Sequence, residues 1–426
     1  MIPHWKMYTF TPQEAAEYDL QGELRQYRVL GAPDMLDLYS NHSQDHVREV
    51  MEQCDVLLTG FADWLAVNLP GTDPDWMHDH LLLAAKLHDI GMCGTEPLRQ
   101  VLQATDSLHS LVTAGGENPS RAMASSLRDL RSAQDDPRLG LPSTGDIHRM
   151  LMDPGTPRDT LLSALADYHE QIKRAIRRQH AENSGRWVLS HLEELRAHYG
   201  PSVDFVTVGA LAALHSSSSL EDACIVLQGE DGERVRHHLR QLITQEVSAE
   251  EAARITTGEA FRRVVYLSAL LRLADTRRQG SRLTAMDGAR LVCRIVNGHL
   301  RLYREQGGIR EEIPLRMSYE ILASEAMTGF GPVTAFPNAD GTWHIRHEMT
   351  LHHAEIPAVG DLFARSRLKT YAGEIDTAML NYPLGCSHEI FLHMEGVGPI
   401  AAGQIVKNWR EAVDWLTASP LQITVL

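Results

Sequence analysis

The chain has no excess of positive charge. Lysine and arginine number 40 against 56 aspartates and glutamates, and the formal net charge at pH 7 is −16. A protein that tracks along nucleic acid needs a basic face. The balance therefore argues against a general nucleic-acid binder, while a small anionic substrate held by a metal and a few local arginines stays open. Cysteine is sparse: Cys54, Cys93, Cys224, Cys293 and Cys386 are scattered, odd in number, and form no Cys-x-x-Cys pair. That suits a reducing compartment and offers no thiolate metal site. No apolar run reaches membrane-spanning length. The opening Met-Ile-Pro-His-Trp-Lys lacks the apolar core of a signal peptide. A cytoplasmic protein with no membrane contact is expected. There is no internal repeat and no low-complexity tract.

What the chain does have is histidine, 22 of them in 426 residues. Histidine is the commonest metal ligand. The organising stretch is Leu82 to Gly91, Leu-Leu-Ala-Ala-Lys-Leu-His-Asp-Ile-Gly, in which an apolar helix runs into His88-Asp89 and Gly91 lets the chain turn away. A buried carboxylate beside an imidazole is costly without a positive charge between them. A bound metal is the simplest source of that charge.

The surrounding patterning is mainly helical. A helix is expected around Pro12 to Leu30, followed by a break at Gly31 to Pro33. A second covers Ser43 to Leu69 and closes at Pro70-Gly71, with Val47, Val50, Met51, Cys54 and Leu58 at helical spacing. Asn41 or Ser43 can cap it, which puts His42 and His46 near a first turn suited to an anion. Asp75 to Leu87 is the third helix. Residues 94–159 turn polar and rich in Gly, Pro, Ser and Asp, and read as an inserted segment with a few short helices, a candidate lid. Helical patterning resumes at Leu161, with Ile172, Ile176 and His180 on one face, and Trp187 to Tyr199 reads as a further helix. Val206 to Leu214 is apolar and leads to His215. Gln228 to Glu251 reads as a charged, solvated excursion. Glu259 to Ala274 is a strong helix ending at Asp275.

After about Leu283 the pattern changes. Ala289 to Val296 and His299 to Tyr303 flank Asn297-Gly298, a hairpin signal. Thr342 to Thr350 alternates after Asp340-Gly341. Leu362 to Leu380 and Ile405 to Ala418 read as helices, and Ile390 to His393 and Ile423 to Leu426 as strands. The expected architecture is a helical domain over residues 1–284 and a smaller α+β domain over 285–426. The C-terminal histidines, His344, His347, His352, His353, His388 and His393, read as surface or core residues. In a strand from 344 to 353, His344 and His352 share one face and His347 and His353 the other.

Six polar residues interrupt apolar helical faces or stand at helix ends: His46, His88, Asp89, His180, His215 and Asp275. Four imidazoles and two carboxylates make a ligand set for one or two divalent transition ions. Asp89 could bridge a pair, and two ions a few Å apart clamp a phosphate and activate water. His180 and His215 could each instead be satisfied core histidines, which would leave a site for one ion. Arg177, Arg178 and Arg272 could reach a phosphate, although arginines near helix ends more often face water.

The order His…His-Asp…His…His…Asp resembles the HD-domain superfamily of metal-dependent phosphohydrolases. The resemblance covers most of residues 40 to 280. It rests on His42-Ser-Gln-Asp-His46-Val-Arg-Glu-Val, Leu87-His88-Asp89-Ile90-Gly91, Arg177-Arg-Gln-His180-Ala-Glu-Asn-Ser184, Leu214-His215-Ser216 and Leu270-Leu-Arg-Leu-Ala-Asp275. It implies an HD-type all-α bundle as the core of the first domain. It implies that His46, His88, Asp89 and Asp275 bind metal, with His180 and His215 marking a two-ion member. His42 matches the position that some cyclic-nucleotide phosphodiesterases use as the acid for the leaving oxygen. The pieces around His180 and Asp275 look most like HD domains of bacterial defence proteins and of proteins linked to chaperone-like ATPases. The cyclic-di-GMP phosphodiesterases of the superfamily carry Lys where this chain has Met92, and a Gly-Tyr-Pro run that it lacks, which argues against that substrate.

The expected function is metal-dependent hydrolysis of a phosphoester, a phosphodiesterase acting on a nucleotide or cyclic nucleotide. A metal-bound hydroxide would attack phosphorus, with Asp89 and His42 as catalytic residues. The cofactor would be two divalent ions of Mn, Fe, Zn, Ni or Co, or a single one. Three rivals share the ligand set: a di-iron oxygenase, a metal-stabilised sensor or interaction module, and a single-strand nuclease, the last disfavoured by the acidic balance. A homo-oligomer stays open.

Overall fold

A computed structural model describes residues 2–24, 44–93, 145–153, 155–216, 230–277, 290–296, 299–306, 308–313, 328–352, 368–381, 386–395 and 421–425, with a few isolated positions between them. The described helices are α1 (His4–Tyr8), α2 (Pro12–Leu24), α3 (Gln44–Gly60), α4 (Ala62–Asn68), α5 (Pro74–Leu87), α6 (Gly145–Met152), α7 (Arg158–Ser190), α8 (Leu192–Tyr199), α9 (Phe205–Leu214), α10 (Glu230–Ile243), α11 (Ala249–Ile255), α12 (Gly258–Thr276) and α13 (Lys369–Asn381). A short 3₁₀ turn spans Ile90–Cys93. The helical domain followed by an α+β domain is the architecture expected. No described helix is long and apolar enough to cross a membrane.

Three helices form the centre of the bundle, and each is specified locally. The carboxylate of Asp73 caps α5 by accepting from the Asp75 amide at 3.1 Å, and Pro74 occupies the first turn, where a missing N–H does no harm. Every residue of α5 from Leu81 to Leu87 is buried. The α9 helix is apolar on all sides and wholly buried, which suits a helix enclosed by others. Asp204 caps it, and Arg254 of α11 grips both oxygens of that carboxylate at 2.8 and 2.9 Å. The α12 helix is buried continuously from Val264 to Ala274.

Three readings of the periodicity differ from the structure. The helix expected over Ser43 to Leu69 is broken at Phe61 into α3 and α4. A β-carbon on Gly60 would stand 2.1 Å from the carbonyl oxygen of Val333, so the helix ends where it meets the second domain. The helix expected to begin at Trp187 is the end of one 33-residue helix, α7, whose break falls at His191. The segment 228–251 is not a solvated excursion. In α10, Val235, Leu239, Leu242 and Ile243 are buried. The described part of the inserted segment contains α6, and its remaining length lies mostly outside the described residues. The helix expected over Ile405 to Ala418 also lies largely outside them.

The second domain holds two sheets. Strands β1 (Arg290–Val296), β2 (His299–Gln306) and β3 (Ile309–Ile313) form an antiparallel meander in which Val296 pairs with His299 across the Asn-Gly pair. Strands β4 (Thr328–Pro337), β5 (Trp343–His352), β6 (Cys386–Glu395) and β7 (Leu421–Val425) lie in that order. The β4–β5 pair is antiparallel; β5, β6 and β7 run parallel. Parallel neighbours require a crossover, and α13 lies in the β5-to-β6 connection. Ile345, His347, Met349 and Leu351 alternate onto the buried face of β5. His344 takes the other face and binds Ser387 and Glu389.

Candidate metal centre

Residues spread over 230 positions of chain meet at the C-terminal ends of α5, α9 and α12, beside the first turn of α3 and the middle of α7. Nε2 of His46 lies 3.2 Å from Oδ2 of Asp89 and 3.5 Å from Oδ1 of Asp275. Nε2 of His88 lies 3.0 Å from the same Asp89 oxygen and 3.7 Å from the same Asp275 oxygen. On the far side of Asp89, Oδ1 stands 3.7 Å from Nε2 of His180 and 3.6 Å from Nε2 of His215. The six side chains thus fall into two groups joined by one carboxylate: His46, His88, Asp89 and Asp275, and then Asp89, His180 and His215. Within each group the ligand atoms lie within 4.8 Å of one another.

Helix ends aim the rings. His88 follows the last residue of α5, and its Nδ1 donates to the carbonyl oxygen of Ala85 at 2.6 Å. His215 follows the last residue of α9, and its Nδ1 donates to the carbonyl of Ala212 at the same distance. Each contact satisfies an orphan carbonyl of the final helical turn and leaves Nε2 as the lone-pair nitrogen facing Asp89. The turn after Asp89 is pressed against α7. A β-carbon on Gly91 would lie 2.3 Å from the amide nitrogen of Ser184, and the Gly91 amide donates to Ser184 Oγ at 2.8 Å. Glycine is therefore required for His180 to come near the His-Asp corner.

The electrostatics call for a cation. His46, His88, Asp89 and His215 are all buried. A neutral His88 would point a lone pair at the Asp89 carboxylate, acceptor against acceptor. Burial disfavours charge on His88, but the carboxylates of Asp89 and Asp275 outweigh it and raise its pKa to about 10. Imidazole nitrogens and carboxylate oxygens at this spacing are the donor set of a transition metal such as Zn, Mn, Fe, Co or Ni, so the residues fit the ions expected.

The family comparison bears on the same segment. HD-CE, an HD-type family, matches residues 36–277, more than half of the chain. The chain belongs to the HD-CE family. That HD-CE span holds all six ligand candidates and ends at Arg277. No curated protein and no solved structure matches the chain.

The other expected site residues fare differently. His42 lies outside the described residues. Arg177 and Arg178 belong to α7, one turn before His180, and their side chains also lie outside the description. Arg272, expected to reach a phosphate, is instead paired with Glu374 of α13, its Nε and Nη2 at 3.1 and 3.0 Å from Oε2. Two polar networks escaped the sequence reading. Lys86, buried within the apolar run before His88, binds Glu14 at 3.3 Å, Tyr199 at 2.6 Å and the carbonyl of Thr9 at 2.6 Å. Beyond α12, Arg277 is fully buried against the second domain. The lysine was visible as a charge inside an apolar helix. The arginine carried no signal, because arginines beside helix ends usually face water.

Proposed function

We propose that this HD-CE protein is a metal-dependent phosphohydrolase acting on a nucleotide or cyclic nucleotide. The observation that carries the reading is Asp89, whose two oxygens address two separate ligand groups. Two ions held by those groups would polarise phosphoryl oxygens and lower the pKa of a water.

The side chains have distinct tasks. His46, His88, Asp89 and Asp275 form a four-ligand group, and Asp89, His180 and His215 a three-ligand group. A group with three protein ligands leaves room for water or substrate. The Nδ1 bonds of His88 and His215 hold each ring in one tautomer, so neither ring must reorganise during a turnover. His42, four residues before His46, is assigned the proton for the leaving oxygen. Arg177 and Arg178 are assigned to the phosphate. The net charge of −16 favours a small substrate over a polynucleotide.

The test is a panel of nucleotides, cyclic nucleotides and bis(p-nitrophenyl) phosphate, offered to protein loaded in turn with Mn, Fe, Co, Ni or Zn. Ester cleavage that is lost in Asp89→Asn is expected. Silence on every ester with both ligand groups loaded contradicts the reading.

One observation favours a second chemistry. The Asp89, His180 and His215 group has the two-histidine, one-carboxylate composition of non-haem iron sites that activate oxygen. Iron as the native metal together with substrate-dependent oxygen uptake would select it. Ester cleavage under anaerobic conditions selects hydrolysis.

A further inference from the structure

Arg277 stands two residues beyond Asp275, at the end of α12, and is fully buried. Its guanidinium donates to three elements at once: Nε to Oε1 of Gln53 in α3 at 3.0 Å, Nη1 to the hydroxyl of Tyr371 in α13 at 2.8 Å, and Nη2 to the carbonyl of Gly331 in β4. The three acceptors are an amide, a phenol and a backbone carbonyl, all neutral. Desolvating a guanidinium for neutral acceptors is an expensive way to join two domains, since apolar packing does that more cheaply. The rigid planar fork gives geometry instead.

The geometry points at one place. Gln53 is seven residues after His46, two turns along α3 and on the same face. Asp275 lies on the last turn of α12. Arg277 therefore ties together the faces of α3 and α12 whose side chains, His46 and Asp275, approach to 3.5 Å. Three residues before Asp275, Arg272 binds Glu374 of the same α13. Asp275 is thus bracketed by two arginine contacts to one helix of the second domain. The α3 helix is fixed to β4 where Gly60 abuts Val333.

From Tyr371 the bonds continue inward. Its hydroxyl is hydrogen-bonded to Nδ1 of His347 at 2.8 Å, and Nε2 of His347 to Nδ1 of His388 at 2.9 Å. Nε2 of His388 faces Sγ of Cys386 at 3.5 Å. Tyr371 is thereby held in one orientation between the Arg277 guanidinium and the His347 ring.

We propose that Arg277 is a positioning residue for the first ligand group: by joining α3 to α13 and β4 it fixes the approach of His46 to Asp275, so that the second domain sets this group's affinity for a divalent ion. The inference rests on the metal-binding reading above. It also separates the two groups, since His180 and His215 ride on α7 and α9 and share only Asp89 with the first.

The test uses the full chain and Co2+ as probe, followed by calorimetry and by visible ligand-field absorption. Circular dichroism of the metal-free protein monitors the fold. Arg277→Met and Arg277→Lys are each expected to weaken one of the two ions by about 10- to 100-fold, the usual effect of losing an outer-shell partner, and to alter its absorption. The other ion is unchanged. Lysine fails although it keeps the charge, because it cannot form the three-way fork. Placed in a His215→Ala background, which keeps only the first group, Arg277→Met weakens the remaining ion by the same factor. Should Arg277→Met not fold, Tyr371→Phe carries the test, with a weakening of about tenfold expected. Wild-type affinity for both ions in folded Arg277→Met overturns the proposal, as does full rescue by Arg277→Lys or equal weakening of both ions. A wild-type protein that takes up no Co2+ overturns the metal-binding reading and this inference together.

Discussion

Nε2 of His180 stands 3.0 Å from Nε2 of His215, although the two histidines sit on different helices. The Nδ1 of His215 is already committed to the Ala212 carbonyl, so its Nε2 presents a lone pair toward this contact. A proton can bridge the two rings, and a metal ion placed beside Asp89 would hold both. Replacing either ring with alanine should therefore remove one ion and leave the other. Metal counting after dialysis checks this: two ions per chain in the wild type, and one in His180→Ala or His215→Ala with unchanged helix content. Loss of both ions would show that the two groups do not fill independently.

Asp89 serves both groups, so its loss should be the most damaging single change at the centre. Asp89→Asn keeps the shape and removes the charge. We expect both ions to bind at least 10-fold more weakly, on the scale of partner losses at metal sites, and ester cleavage to be abolished. Retention of two tightly held ions in Asp89→Asn would contradict the bridging role.

Behind His88 lies the buried pair Lys86 and Glu14, both with no exposed surface. Burial lowers the lysine pKa and Glu14 opposes that fall. Removing one member strands the other charge, which typically costs about 3–5 kcal/mol. Glu14→Gln should therefore destabilise the fold by about that amount in urea melts, and Glu14→Gln with Lys86→Met should recover part of the loss. A Glu14→Gln protein as stable as wild type would show that the pair contributes nothing to holding the N-terminal helices on α5.

Acid should act through the second domain. Burial pushes the pKa of His347 well below its ordinary value, helped by the neighbouring His388, Arg277 and His344. Burial, with His344, pushes His388 down to about 3. Both are neutral in the folded chain and titrate near 6.5 when it unfolds. Below pH 6.5 the unfolded chain binds protons that the folded chain does not, so stability falls as the pH drops from about 6.5 toward 3. Each histidine contributes up to about 1.4 kcal/mol per pH unit in that window. Urea melts between pH 7 and 4 should show a shallower acid slope in His388→Gln than in wild type. Equal slopes would contradict the assignment.

Much of this candidate centre could be read from the sequence, because histidines and aspartates on apolar helical faces violate the rule that buried faces are apolar. The Pro74 start of α5, the His88-Asp89 corner and the end of α12 each follow from local chemistry. The pairing of β1 with β2 on either side of the Asn-Gly signal and the alternation of β5 were equally local. What escaped depends on contacts between distant segments. The break at Phe61 exists because Gly60 meets Val333, and nothing in the helical period marks it. The α10 face that buries Val235 and Leu239 was masked by its high charge. Arg272 and Arg277 look alike in sequence, two arginines flanking Asp275, and only the packing of α13 and β4 shows that both turn toward the second domain.

Anomalous X-ray diffraction from crystals grown with Mn2+ or Co2+ tests the central claim most directly. The account predicts two peaks, one among His46, His88, Asp89 and Asp275 and one among Asp89, His180 and His215, with an oxygen of Asp89 on each. No peak at the His88-Asp89 corner in a metal-saturated crystal would contradict it.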